Sequence, residues 1–246
     1  VSHALESYWA RSQRPLHVLV FLLPLVIVYE IGSVVFLTDP RTQTQIGVAA
    51  NRLFSDFFSL FGPAAAFLPG VALLVVLLVW HVLSRDRWSV EPKTLGGMLI
   101  ESLAWTMPLL VLAAASSHAK AVLAVPAPGG VGALSGLSIG AEMTIAVGAG
   151  LYEEMLFRLV GLALLHFILV DLIGLTERVG AAVAVVLAAL AFAVYHQPQL
   201  PAQWPDFLFY TVAGIYLGSV YVMRGFGIVV ATHAVYDVAV LSVLGG

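Results

Sequence analysis

Apolar residues in this chain come in long, nearly unbroken runs rather than in alternation or in narrow helical stripes. A helix needs about 20 mostly apolar residues to cross the roughly 30 Å hydrocarbon core of a bilayer. Seven stretches meet that need: Pro15–Leu37, a run near Pro63–Leu83, Thr94–Ala115, part of Leu137–Leu172, and runs at about Val179–Tyr195, Phe207–Met223 and Gly227–Leu244. The first is too long, and too far from a small-residue cleavage site, to read as a signal peptide. At 1.5 Å per residue a single helix over Leu137–Leu172 would exceed 50 Å, so this segment is expected to tilt, break or run partly along the interface.

Two segments between the runs have a different pattern. Asp39–Phe61 sets Phe54, Phe57, Phe58 and Phe61 among polar residues at helical spacing, which predicts an amphipathic helix on the membrane surface. Ser116–Gly136 is rich in Ala, Gly, Pro and Ser and reads as a loop. Gly214 and Gly218 form a Gly-x-x-x-Gly pair that permits close helix contact inside the bundle. Trp9, Trp80, Trp88 and Trp204 fall near run ends, where interfacial anchors sit.

Composition sharpens this picture. The chain has 246 residues, of which 61% are hydrophobic and 10% charged, with a net charge of −3 and no Cys. A soluble globule of this size cannot cover so much apolar surface, so lipid must cover part of it. The same numbers exclude a disordered chain, a disulfide scaffold, thiol chemistry and a basic nucleic-acid binder. No internal repeat and no soluble domain is evident, so residues 1–246 read as one all-α, polytopic transmembrane bundle. Under alternating spans with a cytoplasmic N-terminus, the inside collects Arg11, Arg14, Arg85, Arg87, Lys93, Arg178 and Arg224, and the outside only Arg41, Arg52 and Lys120. That excess favours the cytoplasmic N-terminus.

Ionisable side chains at membrane depth cost several kcal/mol unless paired or hydrated, so each needs a reason to be there. Glu30, Glu101 and Glu142 are scattered, with no basic residue near them in their own runs, and read as hydrogen-bonded helix glue. His166 and Asp171 lie where the long fourth segment leaves the membrane. The densest group is Glu153, Glu154 and Arg158, followed by His196 at the end of one run and by His233 and Asp237 in the last. Glu154 and Arg158 stand at i and i+4 and can pair. Glu153 is rotated about 100° from that face and has no opposite charge at that spacing, which leaves it free to act as a general base. His233 and Asp237 also share a face. These groups could supply a base, oxyanion donors or metal ligands to one buried cavity. Simple alternation nevertheless places Glu153 mid-membrane, His196 at the outer end and His233 nearer the inner end.

The ordered motifs Glu153-Glu154-x-x-x-Arg158, Phe192-x-x-x-His196 and His233-x-x-x-Asp237, each in an apolar helix, resemble those of the CPBP family of intramembrane endopeptidases, the CAAX protease and bacteriocin-processing (ABI) family. The resemblance covers about Ile139 to Leu244, so a catalytic half at about 137–246 follows N-terminal helices at about 15–115 that carry no motif. It implies a type II prenyl-endopeptidase-like bundle of about seven or eight helices around a polar cavity. By that likeness Glu153 activates water, His196 helps position it, His233 and Asp237 stabilise the tetrahedral intermediate or hold a metal, and Arg158 anchors Glu154. It further implies a peptide or protein substrate, lipidated or not, met at the lipid surface of a bacterial or archaeal inner membrane.

Two positions depart from the family pattern. Leu159 stands where Gly often follows the motif Arg, and Asp237 stands where prenyl endopeptidases use Asn. An ionised Asp cannot donate a hydrogen bond to an oxyanion. It could be protonated, orient His233, or join Glu153, His196 and His233 as ligands of a divalent metal, zinc being the best match. The sequence thus leaves a metal-free glutamate mechanism and a metal-dependent one both open. The competing class is a proton- or ion-coupled transporter that uses the buried Glu and His, for which an inverted repeat would be expected.

Overall fold

The computed structural model describes residues 7–38, 48–116, 137–196 and 204–244. The predicted loop at 117–136 and the first part of the amphipathic segment, 39–47, lie outside them. The described residues form a helical bundle. A short helix α1 (Tyr8–Ser12) leads into α2 (Pro15–Phe36). The surface helix α3 (Ala49–Phe57) and a 3₁₀ stretch (Ser59–Ala66) precede α4 (Leu68–Ser84) and α5 (Pro92–Ala115). Then come α6 (Ile139–Leu172), α7 (Glu177–His196), α8 (Trp204–Arg224) and α9 (Phe226–Leu244). Five of these, α2, α5, α6, α7 and most of α8, are long and apolar enough to cross a membrane, and α4 and α9 are shorter apolar helices. Together they occupy the seven runs expected from the sequence.

Local chemistry sets the helix boundaries. Pro15, Pro69 and Pro92 sit in the first turns of α2, α4 and α5, where a missing N–H costs nothing. Ser138 caps α6 by accepting from the Ala141 amide at 3.3 Å. Gly174 and Gly225 take φ of +84° and +81° at the α6–α7 and α8–α9 turns, a conformation that side chains resist. The chain therefore reverses within four residues at the first turn and at a single residue in the second.

Packing follows membrane rules, in which close contact between small residues replaces the hydrophobic drive. Ala184 and Ala188 of α7 are buried in a cluster with Leu162 of α6, and Ala189 lies against Gly214 of α8. A Cβ on Gly214 would fall 2.9 Å from Cα of Ala189, so the Gly-x-x-x-Gly pair faces α7 within the same chain. The outward faces of α2, α4 and α5 carry large exposed aliphatics such as Ile31, Val35, Val79 and Ile100, surface for lipid to cover. On α3 and the 3₁₀ stretch, Leu53, Phe57, Leu60 and Phe61 are likewise exposed, as an interfacial segment requires.

The long fourth segment is one continuous 34-residue helix, roughly 51 Å from end to end. It does not break. Instead it widens into π-helical turns over Met155–Leu162 and again over Phe167–Leu172, the first directly after Glu154. Such turns are frequent at functional sites. Nineteen residues separate Glu153 from Leu172 and nineteen separate Glu177 from His196, so the two arms of this hairpin are each about 28 Å long. Equal arms return His196 to the level of Glu153. The conflict raised by simple alternation disappears, because a 34-residue helix carries Glu153 away from the depth at which a 20-residue span would place it.

Candidate active site

Glu153 and Glu154 end the α-helical part of α6, Arg158 lies in its π-helical part, His196 closes α7, and His233 and Asp237 lie on adjacent turns of α9. The structure brings all six together. Glu153, Glu154, Arg158 and His233 are buried, whereas the Asp237 side chain keeps 20% of its surface exposed and marks the open edge.

The two neighbouring glutamates have opposite surroundings. Glu154 is saturated on one oxygen: Oε1 accepts from Arg158 at 2.9 Å and faces His233 Nδ1 at 2.7 Å. Arg158 also donates to the Gly214 carbonyl at 3.3 Å, and its guanidinium carbon lies 4.7 Å from the centre of the Phe192 ring. Glu154 and Arg158 thus tie α6 to α7, α8 and α9. Glu153 presents Oε2 to His196 Nε2 at 3.4 Å and to His233 Nε2 at 4.0 Å, and that oxygen has no hydrogen-bond partner among the described residues.

The hydrogen bonds assign the imidazole protons. His196 Nδ1 lies 2.9 Å from the Phe192 carbonyl, which can only accept, so Nδ1 carries the proton. His233 Nδ1 likewise donates to Glu154, whose carboxylate is held in an ion pair. Neutral His196 then presents a bare Nε2 toward Glu153 Oε2, whereas His233 Nε2 faces two carboxylates, Glu153 and Asp237, that favour a proton on it. Asp237 Oδ2 lies 3.5 Å from His233 Nε2 and adds a further acceptor. Such a cluster calls for hydrogen donors placed among its members.

Zinc is also bound by side chains of these types, and Glu153, His196, His233 and Asp237 are the set the sequence offers. Among the described residues, however, no three His or carboxylate side chains are disposed to hold a metal ion. The arrangement does not fit a metal site as it stands.

Several neighbours escaped the sequence reading. Tyr210 of α8 stacks on His196 at 4.2 Å between ring centres with 19° between planes, walling one face of the imidazole. Phe192 does two jobs, its carbonyl orienting His196 and its ring covering Arg158. Tyr195 lies edge-on to Phe157, one turn past Glu153, and its hydroxyl sits beside the Glu153 carboxylate. Phe192 already stood in the Phe-x-x-x-His motif, but aromatic residues are common in all these runs, so nothing in the sequence distinguished Tyr195 and Tyr210.

The scattered carboxylates lie elsewhere. Glu101 pairs with Arg224, accepts from Trp105 at 3.1 Å and accepts from the Tyr8 hydroxyl at 2.6 Å. Burial, reinforced by this carboxylate, pushes the Tyr8 hydroxyl above its ordinary range, which keeps it a donor. Arg224 is buried under the Trp9 ring at 3.6 Å and donates to Ser12 at 3.0 Å, locking α1 onto α5 and α8. Glu30 accepts from Tyr152 at 3.0 Å. Glu142 occupies the first turn of α6, where the helix dipole favours negative charge. His166 pairs with Glu177 at 2.8 Å across the exposed hairpin turn, and Asp171 is exposed beside it.

Residues 135–239 match the Rce1-like family, described as type II CAAX prenyl endopeptidase Rce1-like. The match spans α6 to α9 and includes all six clustered residues. No curated protein and no solved structure gives a significant match.

Proposed function

We propose that the protein, whose residues 135–239 match the Rce1-like family, is an intramembrane endopeptidase in which Glu153 is the general base. The observation that carries this reading is the unpartnered Oε2 of Glu153, 3.4 Å from the bare Nε2 of His196 and 4.0 Å from Nε2 of His233. A water molecule seated there donates one hydrogen to Glu153 Oε2 and the other to His196 Nε2. Its oxygen lone pairs are then free to attack a carbonyl carbon.

In the first step the water oxygen bonds to the scissile carbonyl carbon, its proton passes to Glu153, and the C=O electron pair moves onto the carbonyl oxygen. In the second the C–N bond breaks, that pair returns to rebuild the carbonyl, and the Glu153 proton goes to the departing nitrogen. Products are a carboxylic acid and an amine, which exchange a proton to leave a carboxylate and an ammonium, and Glu153 is restored. His196, fixed by the Phe192 carbonyl and the Tyr210 ring, holds the water. His233, fixed by Glu154, stands on the other side with Asp237 and faces the developing oxyanion. Arg158 keeps Glu154 in place and takes no part in proton transfer. The substrate is a peptide segment presented at the membrane, with an attached lipid chain lying against the apolar outer faces when the substrate is lipidated.

The test uses purified full-length protein and fluorogenic peptides, with and without a prenyl group, comparing wild type with Glu153→Ala and His196→Ala. Wild type should cleave, with a loss of about 10²–10⁴ in each variant. Equal cleavage by all three proteins would overturn the assignment. Chelator should leave the wild-type rate unchanged; a loss that zinc restores would replace the glutamate mechanism with a metal-dependent one.

A further inference from the structure

The surface helix α3 has no motif, yet it touches the site. Its second residue, Ala50, is buried, and the Ala50 amide donates to the Tyr195 hydroxyl at 2.8 Å. That amide belongs to the first turn, where no intrahelical carbonyl is available, so Tyr195 is its protein partner. The bond links residues 145 apart in sequence, one on a surface helix and the other next to His196. Tyr195 is fixed on its other sides as well. Its ring meets Phe157 edge-on at 5.4 Å and His196 at 4.9 Å between centres. Phe157 stands four residues beyond Glu153, and the Tyr195 hydroxyl is thereby held beside the Glu153 carboxylate.

A hydroxyl has one hydrogen to give and two lone pairs. With one lone pair accepting from Ala50, its hydrogen remains for the carboxylate alongside. A second link runs parallel to this one: Asn51 donates to the Tyr29 hydroxyl at 2.8 Å, and the Tyr29 ring meets that of Tyr152, the residue before Glu153, edge-on at 4.8 Å. The first turn of α3 is therefore fastened to α7 and α2 at the level of the base, while Leu53 and Phe57 farther along it are exposed for the membrane surface.

We propose that Tyr195 is a positioning residue, through which the seating of α3 on the membrane surface fixes the orientation of the Glu153 carboxylate. The inference rests on the reading of Glu153 as base. A hydrogen bond to a charged group contributes about 1.5–3 kcal/mol, so its loss corresponds to roughly ten- to a hundredfold in rate.

The experiment compares wild type, Tyr195→Phe, Ala50→Pro and the double variant, all full length. Proline in the first helical turn deletes the donated N–H without removing an intrahelical bond. Tyr195→Phe should lower kcat about ten- to a hundredfold, leave KM within about twofold and lower the melting temperature by about 2–12 °C, with activity measured well below the unfolding range. Amide hydrogen exchange should speed up at Ala50 in Tyr195→Phe. The double variant should lose no more activity than the worse single one, because both changes cut the same connection. Wild-type kcat in Tyr195→Phe, a loss confined to KM, unchanged exchange at Ala50, or additive losses would each overturn the proposal. Glu153→Gln in the same assay separates the two readings. If it is inactive while Tyr195→Phe is fully active, only the positioning role falls; if it cleaves like wild type, the general-base reading falls and takes this one with it.

Discussion

Glu153 and Glu154 are adjacent in sequence and equally apolar in their flanks, yet their amide isosteres should fail in different assays. Removing one member of a buried ion pair leaves the other charge without compensation and costs about 3–5 kcal/mol. Glu154→Gln does this to Arg158, whose guanidinium is 1% exposed and is held by Glu154 at 2.9 Å. For a chain of this length each kcal/mol corresponds to about 2–4 °C of melting temperature, so a fall of roughly 6–20 °C is expected. Glu153→Gln removes a charge whose Oε2 has no hydrogen bond to lose. Its melting temperature should stay within a few degrees of wild type, about 1 kcal/mol or less. Its cleavage rate should drop by about 10²–10⁴, equivalent to about 3–5.5 kcal/mol of barrier. The two substitutions thus cost similar energies on different axes. Thermal unfolding in detergent and single-turnover cleavage, run on the same preparations, read both. If Glu153→Gln melted as early as Glu154→Gln, or if Glu154→Gln melted with wild type, the division into base and anchor would be wrong.

Other substitutions probe the framework. A Cβ on Gly150 would lie 2.7–2.8 Å from backbone atoms of Ala234, beside His233, so Gly150→Ala should push α9 from α6 and cut cleavage at least about tenfold, whereas Gly96→Ala, with nothing within 4 Å, should behave as wild type. Equal rates in both would show that α9 can shift harmlessly. Arg224→Ala leaves Glu101 unpaired and removes the cap over Trp9, so melting should fall by roughly 6–20 °C and protease should reach Tyr8–Ser12 faster, with cleavage per folded molecule retained. Unchanged protection of α1 would refute that latch. Asp237→Asn should keep activity within about threefold, because an amide oxygen can still accept from His233 Nε2, which lies 3.5 Å from Oδ2. A loss above a hundredfold would instead require a carboxylate at that position.

The apolar runs and the three motifs were legible because each is local: a bilayer imposes length, and i,i+4 spacing imposes a shared face. Glu154 with Arg158 and His233 with Asp237 are of this kind. The partner of Glu101 was not, since Arg224 lies 123 residues away and its buried guanidinium looks in sequence like any loop cation at a span end. The same holds for Ala50 with Tyr195 and for Glu30 with Tyr152. The meeting of Glu153 with His196 was hidden differently. Assigning every span one membrane thickness conceals a helix of 34 residues, and only its true length shows the two motifs to be level.

That hairpin also sets rules for how the chain can change in length. One residue inserted between Glu154 and Leu172, or between Glu177 and Tyr195, would move one motif about 1.5 Å along its arm and turn it about 100° from its partners. A matched pair, one on each arm, would restore the level but leave both motifs turned, so a single gain is tolerable only where a π-helical turn absorbs the extra residue, as Met155–Leu162 and Phe167–Leu172 are already built to do. The turn at Ile173–Thr176 lies outside both arms and about 28 Å from the chemistry, so it is the place where the hairpin can accept a tag or a label without altering its register.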